Sequence, residues 1–266
     1  MKTTDNQANP RILRTPRRPH TPQAPLKPLT PHTPHTPRLA GLFDGTRCAL
    51  ATLPPLTHYG TQGLDADACG PLYRDDCGVA PQWPASDGPR VFVYLSPSHA
   101  EFRPLLEALR AEKQVALVVA RGLSVKPAAR LAGPQLRLEA EPLHIQQVMA
   151  QADLVVSHGG RGTTSAALLA GRPQLLLPTH MEQAMVGRRV ADAGLGIVLP
   201  VRPTARPGDP APRVLATDCR RLLTEFDWAT TAQAAAARDA GASPAATAER
   251  VAERVADRVG ASLRGA

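Results

Sequence analysis

The chain has 266 residues, 31 Lys/Arg against 23 Asp/Glu for a formal charge of +8, and only 3% aromatic residues. That charge sits mostly at one end: residues 1–40 hold seven basic residues and one acid, whereas the remainder holds 24 basic and 22 acidic residues. The body therefore lacks the basic stripe with interleaved aromatics that would mark a nucleic-acid binder, and no apolar run is long enough to span a membrane or serve as a signal peptide.

Prolines recur at 16, 19, 22, 25, 28, 31, 34 and 37. Polyproline II has three residues per turn, so all eight would line one edge of an extended rod. With few larger apolar residues, residues 1–45 are read as a disordered Pro/Thr/His/Arg-rich arm. Residues 46–89 read as a connector. The four cysteines, Cys48, Cys69, Cys77 and Cys219, form no CxxC pair and no zinc-finger spacing; free thiols in a soluble cytoplasmic protein are expected.

From residue 90 onward, strand-like and helix-like runs alternate. Arg90–Leu95 is β-rich and leads into a Ser96-Pro97-Ser98-His99 loop, and Phe102, Leu105, Leu106 and Leu109 form a helical stripe. Gln114–Ala120 reads as a buried strand and Gln135–Glu139 as a weaker one. The loop Glu141-Pro142-Leu143-His144 then opens a helix to Gln151. Leu154–Ser157 is short and apolar, as expected of a strand covered on both faces. Thr164–Ala170 is rich in Ala and Leu and should be helical, with Gly171 and Pro173 as its stop. The strand Gln174–Leu177, the helix Gln183–Ala193 and the strand Gly196–Pro200 follow. Helices are expected over Pro210–Phe226, Ala229–Ala240 and Ala245–Leu263, the last with Val251, Val255 and Val259 at four-residue spacing. Alternation of this kind calls for right-handed crossovers and a parallel sheet, so residues 90–266 are read as a single α/β domain of Rossmann type.

His158-Gly159-Gly160 stands at the carboxyl end of the Leu154–Ser157 strand, and Gly162-Thr163 precedes the helix. Ligands of an open parallel sheet bind beyond the carboxyl ends of its strands. A helix starting there directs unpaired N–H groups and a partial positive charge at the ligand. A phosphate or diphosphate is the natural guest, although such a turn alone also serves packing in many α/β proteins.

Spacing narrows the choice. His158, Gly160, Gly171, Pro173 and Pro178, with Glu182 and Gln183 lying 24 and 25 residues after His158, resemble the nucleotide-sugar signature of GT-B glycosyltransferases. The likeness is to family 1 UDP-glycosyltransferases, including the bacterial small-molecule and macrolide type. The resemblance implies that His158, Gly159, Gly160, Gly162 and Thr163, with Ser98 from the earlier loop, bind the donor diphosphate. It implies that Glu182 and Gln183 hold sugar hydroxyls and that Pro142 and Leu143 form an apolar floor under the base. The family supplies an aromatic near that floor, and none accompanies it here. Where plant members carry a Glu for the ribose, this chain has Ala166, which leaves the base open; UDP is the family default and TDP the alternative. No metal and no cofactor beyond the nucleotide-sugar co-substrate is implied.

The resemblance covers roughly residues 50–260 and only the donor-binding, C-terminal half of a GT-B enzyme. The acceptor domain, with its catalytic His, has no counterpart, and the Pro-rich arm stands in its place. That arm reads as a tether, as a ligand for a Pro-binding module, or as a segment without an evolved role, the last being favoured. The expected function is transfer of a hexose from a nucleoside-diphosphate sugar to a small-molecule hydroxyl, with a separate acceptor-domain chain as one source of the missing half. The alternatives are a non-catalytic nucleotide-sugar-binding module, or a truncated enzyme, and a Pro-rich adaptor. Catalytic residues are not assignable.

Overall fold

The computed structural model describes residues 50–57, 68–74, 77–201 and 213–264. The chain divides into Met1–Arg47 and Cys48–Ala266. The first of these, and with it the arm read from the sequence, lies outside the described residues.

Six of the apolar runs become strands of one sheet: β1 (Arg90–Tyr94), β2 (Val115–Val119), β3 (Leu136–Glu139), β4 (Leu154–Ser157), β5 (Gln174–Leu176) and β6 (Gly196–Val198). Their order is β3-β2-β1-β4-β5-β6, and every neighbouring pair is parallel. All five residues of β2 and all four of β4 are buried. That explains their unbroken hydrophobic character: a strand covered on both faces has no solvent side on which to alternate.

Alternate residues feed two cores. On one face Val91, Val93, Val118 and Val156 pack with Phe102, Leu105, Leu106 and Leu109 of α1 (Phe102–Ala111), and with Leu215, Cys219 and Leu222 of α6 (Arg213–Thr224). On the other, Phe92, Leu117, Val119 and Val155 meet Val148 and Met149 of α3 (Ile145–Gln151) and Ala166 and Ala167 of α4 (Arg161–Leu169). Each fully buried Leu, Val or Phe contributes about 1.5–3 kcal/mol relative to exposure, so the two sandwiched faces dominate the stability of the body. A third cluster joins Leu53 and Leu56 to Leu168, to Val190 of α5 (Met181–Asp192) and to Ala232 of α7 (Phe226–Arg238). Leu53 and Leu56 of the connector are thus part of the folded body.

Gly171 ends α4. Its φ is +66°, its N–H donates to Leu168 O, and Arg172 N–H donates to Ala167 O. This is the paired closure in which a left-handed residue satisfies the last helical carbonyls.

Several expectations shift. α4 starts at Arg161 rather than Thr164, because Gly160 in extended conformation is its N-cap. α5 starts at Met181 rather than Gln183. The helix α2 (Val125–Leu131) lies in a stretch for which no element was read from the sequence, and it contains Pro127. A proline in the first turn withholds an N–H that would have no intrahelical partner anyway, so the helix tolerates it. In α8 (Pro244–Arg264) Val255 is 58% exposed, while the Arg250 guanidinium, donating to Cys69 O, ties the helix to the connector. Cys77 and Cys219 are free thiols; burial pushes the Cys219 thiol up to about 12, which leaves it inert. Among the described residues no helix is long and apolar enough to cross a membrane.

Candidate functional site

β1 and β4 are neighbours ending level with one another, Tyr94 opposite Ser157. From β1 the chain moves outward through α1 to β2; from β4 it moves the opposite way through α4 to β5. The two loops leaving these strands therefore diverge and open a crevice at the point where strand order reverses. His158 follows β4 immediately, so the signature residues stand at that crevice. Sequence alone could not locate the reversal, because it depends on which strand pairs with β1.

Three loops meet at the crevice. His99, in the loop after β1, accepts from the Glu101 N–H through Nδ1 at 3.1 Å, so its Nε2 carries the proton and donates to Leu177 O at 2.9 Å. His99 thereby ties the β1 loop to the β5 loop. In the same β1 loop Ser98 is exposed, with its hydroxyl 2.7 Å from that of Ser96.

The His158 ring lies 6.2 Å from the Tyr94 ring and is hydrogen-bonded to the Tyr94 backbone. Burial, then the His99 and His180 imidazoles, hold its pKa below the ordinary 6.5, against the raising effect of that hydrogen bond. The imidazole is neutral at pH 7 in this state. Tyr94 carries no motif and was not anticipated; its position as the last residue of a strand beside β4 is what brings it here.

Gly159 has φ +85°, its N–H donates to Ser157 Oγ at 3.2 Å, and a Cβ would lie 3.3 Å from the Gln183 carbonyl oxygen. At Gly160 a Cβ would lie 2.9 Å from His158 Nε2. Both glycines are therefore needed for space: one lets the turn rest on α5, the other lets the imidazole fold over its own loop.

The first turn of α4 holds Arg161, Gly162 and Thr163, with no acidic residue and no side-chain cap at Gly160. Tyr73 packs against the open side of Gly162, where a Cβ would meet it at 3.1 Å. Thr163 is half-buried, and the neighbouring Thr164 is fully buried with Oγ1 unpartnered among the described residues.

Glu182 and Gln183 lie in the first turn of α5. Gln183 Oε1 accepts from Thr179 N–H at 2.8 Å and from Thr179 Oγ1 at 2.9 Å. A backbone N–H can only donate, so the oxygen faces Thr179 and the NH2 group is the end without this duty. Glu182 Oε1 pairs with Arg161 Nη2 at 2.9 Å. Sequence reasoning did not single out Arg161; a lone Arg between glycines offers no spacing to read.

Pro142 and Leu143 stand at the start of α3. Val79 bridges their loop, its N–H donating to Pro142 O and its C=O accepting from His144 N–H, both at 2.9 Å. Pro142 is exposed and Leu143 buried. The aromatic missing from the local sequence arrives from elsewhere: Tyr73, Trp83 and Tyr94 all pack against the cluster that contains Leu143 and Ala166.

Two cavities open elsewhere: about 570 Å³ beside β3, lined by Leu123, Gly133 and Arg137, and about 370 Å³ between α3 and α4, lined by Tyr73, Met149 and Arg172. Neither includes His158, Thr163 or Glu182. The larger is lined mainly by small and apolar residues and gathers no set of converging polar groups, so the crevice at the strand reversal remains the site with chemistry.

The family of erythromycin biosynthesis protein CIII-like C-terminal domains matches residues 115–257. The NDP-glycosyltransferase YjiC of Bacillus subtilis strain 168 is 43% identical over 54 residues, which is 20% of this chain and 14% of that protein. The fold is similar to that of the calicheamicin glycosyltransferase CalG4 (25% identity, TM-score 0.56, covering 72% of this chain and 48% of that one). It is also similar to the glycosyltransferase VinC, solved in complex with dTDP (27% identity, TM-score 0.54, 69% and 46%). The chain spans about half the length of these two solved glycosyltransferases.

Proposed function

The chain belongs to the erythromycin biosynthesis protein CIII-like C-terminal domain family, and from that premise we propose that it is the donor-binding half of a glycosyltransferase. Its task is to hold a nucleoside-diphosphate sugar while a hexose passes to a small-molecule hydroxyl. The observation that carries this reading is the uncapped N-terminus of α4, beside His158, at the strand reversal between β1 and β4.

In this reading the N–H groups of Gly160, Arg161, Gly162 and Thr163 face the diphosphate, with the Thr163 hydroxyl as a further donor and His158 beside them, where the arriving anion favours the imidazolium and so gives the ring a second N–H to donate. Charge builds on the diphosphate as the glycosidic bond breaks, and donors fixed in advance stabilise that charge without reorganising. Glu182 accepts from sugar hydroxyls, and Gln183 offers its NH2 group. Ser98, exposed after β1, reaches the same phosphates from the opposite loop. Pro142 and Leu143, with the aromatics packed behind Leu143, bound the base. The acceptor half, with its base, comes from another domain or another chain.

UDP is the nucleotide the signature suggests, while the dTDP bound to VinC favours thymidine diphosphate as a second reading. Calorimetric titration of the full chain with UDP, dTDP and their glucose conjugates separates the two. His158→Ala should weaken diphosphate binding about 10- to 100-fold, the loss of one charge-assisted hydrogen bond. An unchanged dissociation constant would remove His158 from the site. Binding without transfer or donor hydrolysis would favour the non-catalytic module.

A further inference from the structure

A cation in the first turn of a helix lies at the wrong end of the dipole, where anions are stabilised and cations are not. Arg161 is such a cation, the first residue of α4. Nothing acidic in the first turn of α4 offsets it. The anion that meets it comes from the next helix: Glu182 Oε1, 2.9 Å from Arg161 Nη2.

Both partners are largely in water, with side chains 40% and 51% exposed. A pair of this kind is worth about 0–1 kcal/mol, so it ties α4 to α5 only weakly. A diphosphate is a stronger competitor, since it carries more charge than one carboxylate and offers several oxygens to the planar guanidinium fork.

We propose that Arg161, paired with Glu182, is a diphosphate-binding residue, and that an arriving diphosphate draws the guanidinium away and frees the Glu182 carboxylate for the donor sugar. The inference rests on the donor-site reading above and deepens it. Glu182 then has two successive partners, Arg161 before loading and sugar hydroxyls after. Free nucleotide and sugar nucleotide must respond to Glu182 in opposite directions: for the free nucleotide the carboxylate is a competitor, for the conjugate it is also a ligand.

The test is a double-mutant cycle on the full chain, read by titration with free UDP or dTDP (whichever binds wild type) and with its glucose conjugate. Arg161→Gln should weaken free nucleotide about tenfold, the order of one charge-assisted contact. Arg161→Lys, which keeps charge but not the fork, should fall between. Glu182→Gln should tighten free nucleotide severalfold and weaken the conjugate, and its effect on free nucleotide should vanish in the Arg161→Gln background. Equal weakening of both ligands by Glu182→Gln, or wild-type affinity in folded Arg161→Gln, overturns the exchange. If wild type binds neither nucleotide, the donor-site reading fails and the exchange with it. If wild type binds and only His158→Ala weakens it, the exchange alone fails.

Discussion

The N-termini of α4 and α5 open on the same crevice and are finished in opposite ways. At α5 the protein supplies its own anions and acceptors: Glu182 stands in the first turn, and Gln183 Oε1 takes the Thr179 N–H and hydroxyl. At α4 there is a glycine N-cap, no acid, and an arginine of the wrong sign. Neither helix has a side-chain cap on its N-cap residue; the difference lies in the first-turn charge, acidic in α5 and basic in α4. On the proposed function, the basic end is the one that a diphosphate would finish, and the acidic end the one that meets sugar hydroxyls.

Gly159 lies between the two ends, and changing it should break the comparison most severely. Gly159→Ala forces a side chain into φ +85° and a Cβ to 3.3 Å of the Gln183 carbonyl oxygen. Backbone strain of this kind costs about 1–3 kcal/mol. A urea midpoint lowered to that extent is expected, together with loss of nucleotide binding, because both ends are pushed apart. An unchanged midpoint would mean that the turn relaxes freely.

Gln183→Ala probes the self-finished end. Loss of the acceptor for Thr179 should lower stability by about 1 kcal/mol, the usual net worth of a hydrogen bond. The contrasting change Thr163→Ala, at the open end, should leave the midpoint nearly unchanged and weaken nucleotide binding instead. Should Thr163→Ala destabilise the apo protein as much as Gln183→Ala does, the two ends are not different in kind.

The smallest effect concerns pH. The folded-state pKa of His158 lies below 6.5, chiefly through burial. Above 6.5 the imidazole is neutral in both folded and unfolded chains and contributes no slope. As pH falls below 6.5 the unfolded chain takes up the proton first, so stability declines until the folded-state pKa is passed. Unfolding midpoints measured from pH 8 to pH 5 should fall less steeply for His158→Gln than for wild type. Parallel curves would remove His158 as the group responsible.

Much of the fold was legible because its strands carry a strong signal. Leu154–Ser157 and Val115–Val119 are apolar on both faces, and Gly171-Arg172-Pro173 punctuates a helix by local chemistry alone. α2 was not legible because a proline argues against a helix unless its position in the first turn is known. The valines of α8 repeat at helical spacing, yet Val255 faces water; periodicity indicates a helix and not what covers it. At the site, His158, Glu182 and Gln183 stood out by spacing. Arg161, Tyr94 and Trp83 did not, since their placement depends on partners 21, 64 and about 60 positions away in the chain.

From its amino acids alone this protein determined a parallel α/β body and a glycine-rich turn at the end of a buried strand, since each rests on short-range periodicity and backbone preference; the resemblance to a nucleotide-sugar signature rests on residue identities at fixed spacing. Only the tertiary structure decided that β4 lies against β1, that the aromatics behind Leu143 come from the connector and β1, and that Arg161 pairs with Glu182. Those facts depend on strand order and on which helix ends meet in space, and neither is encoded in the spacing of residues along the chain.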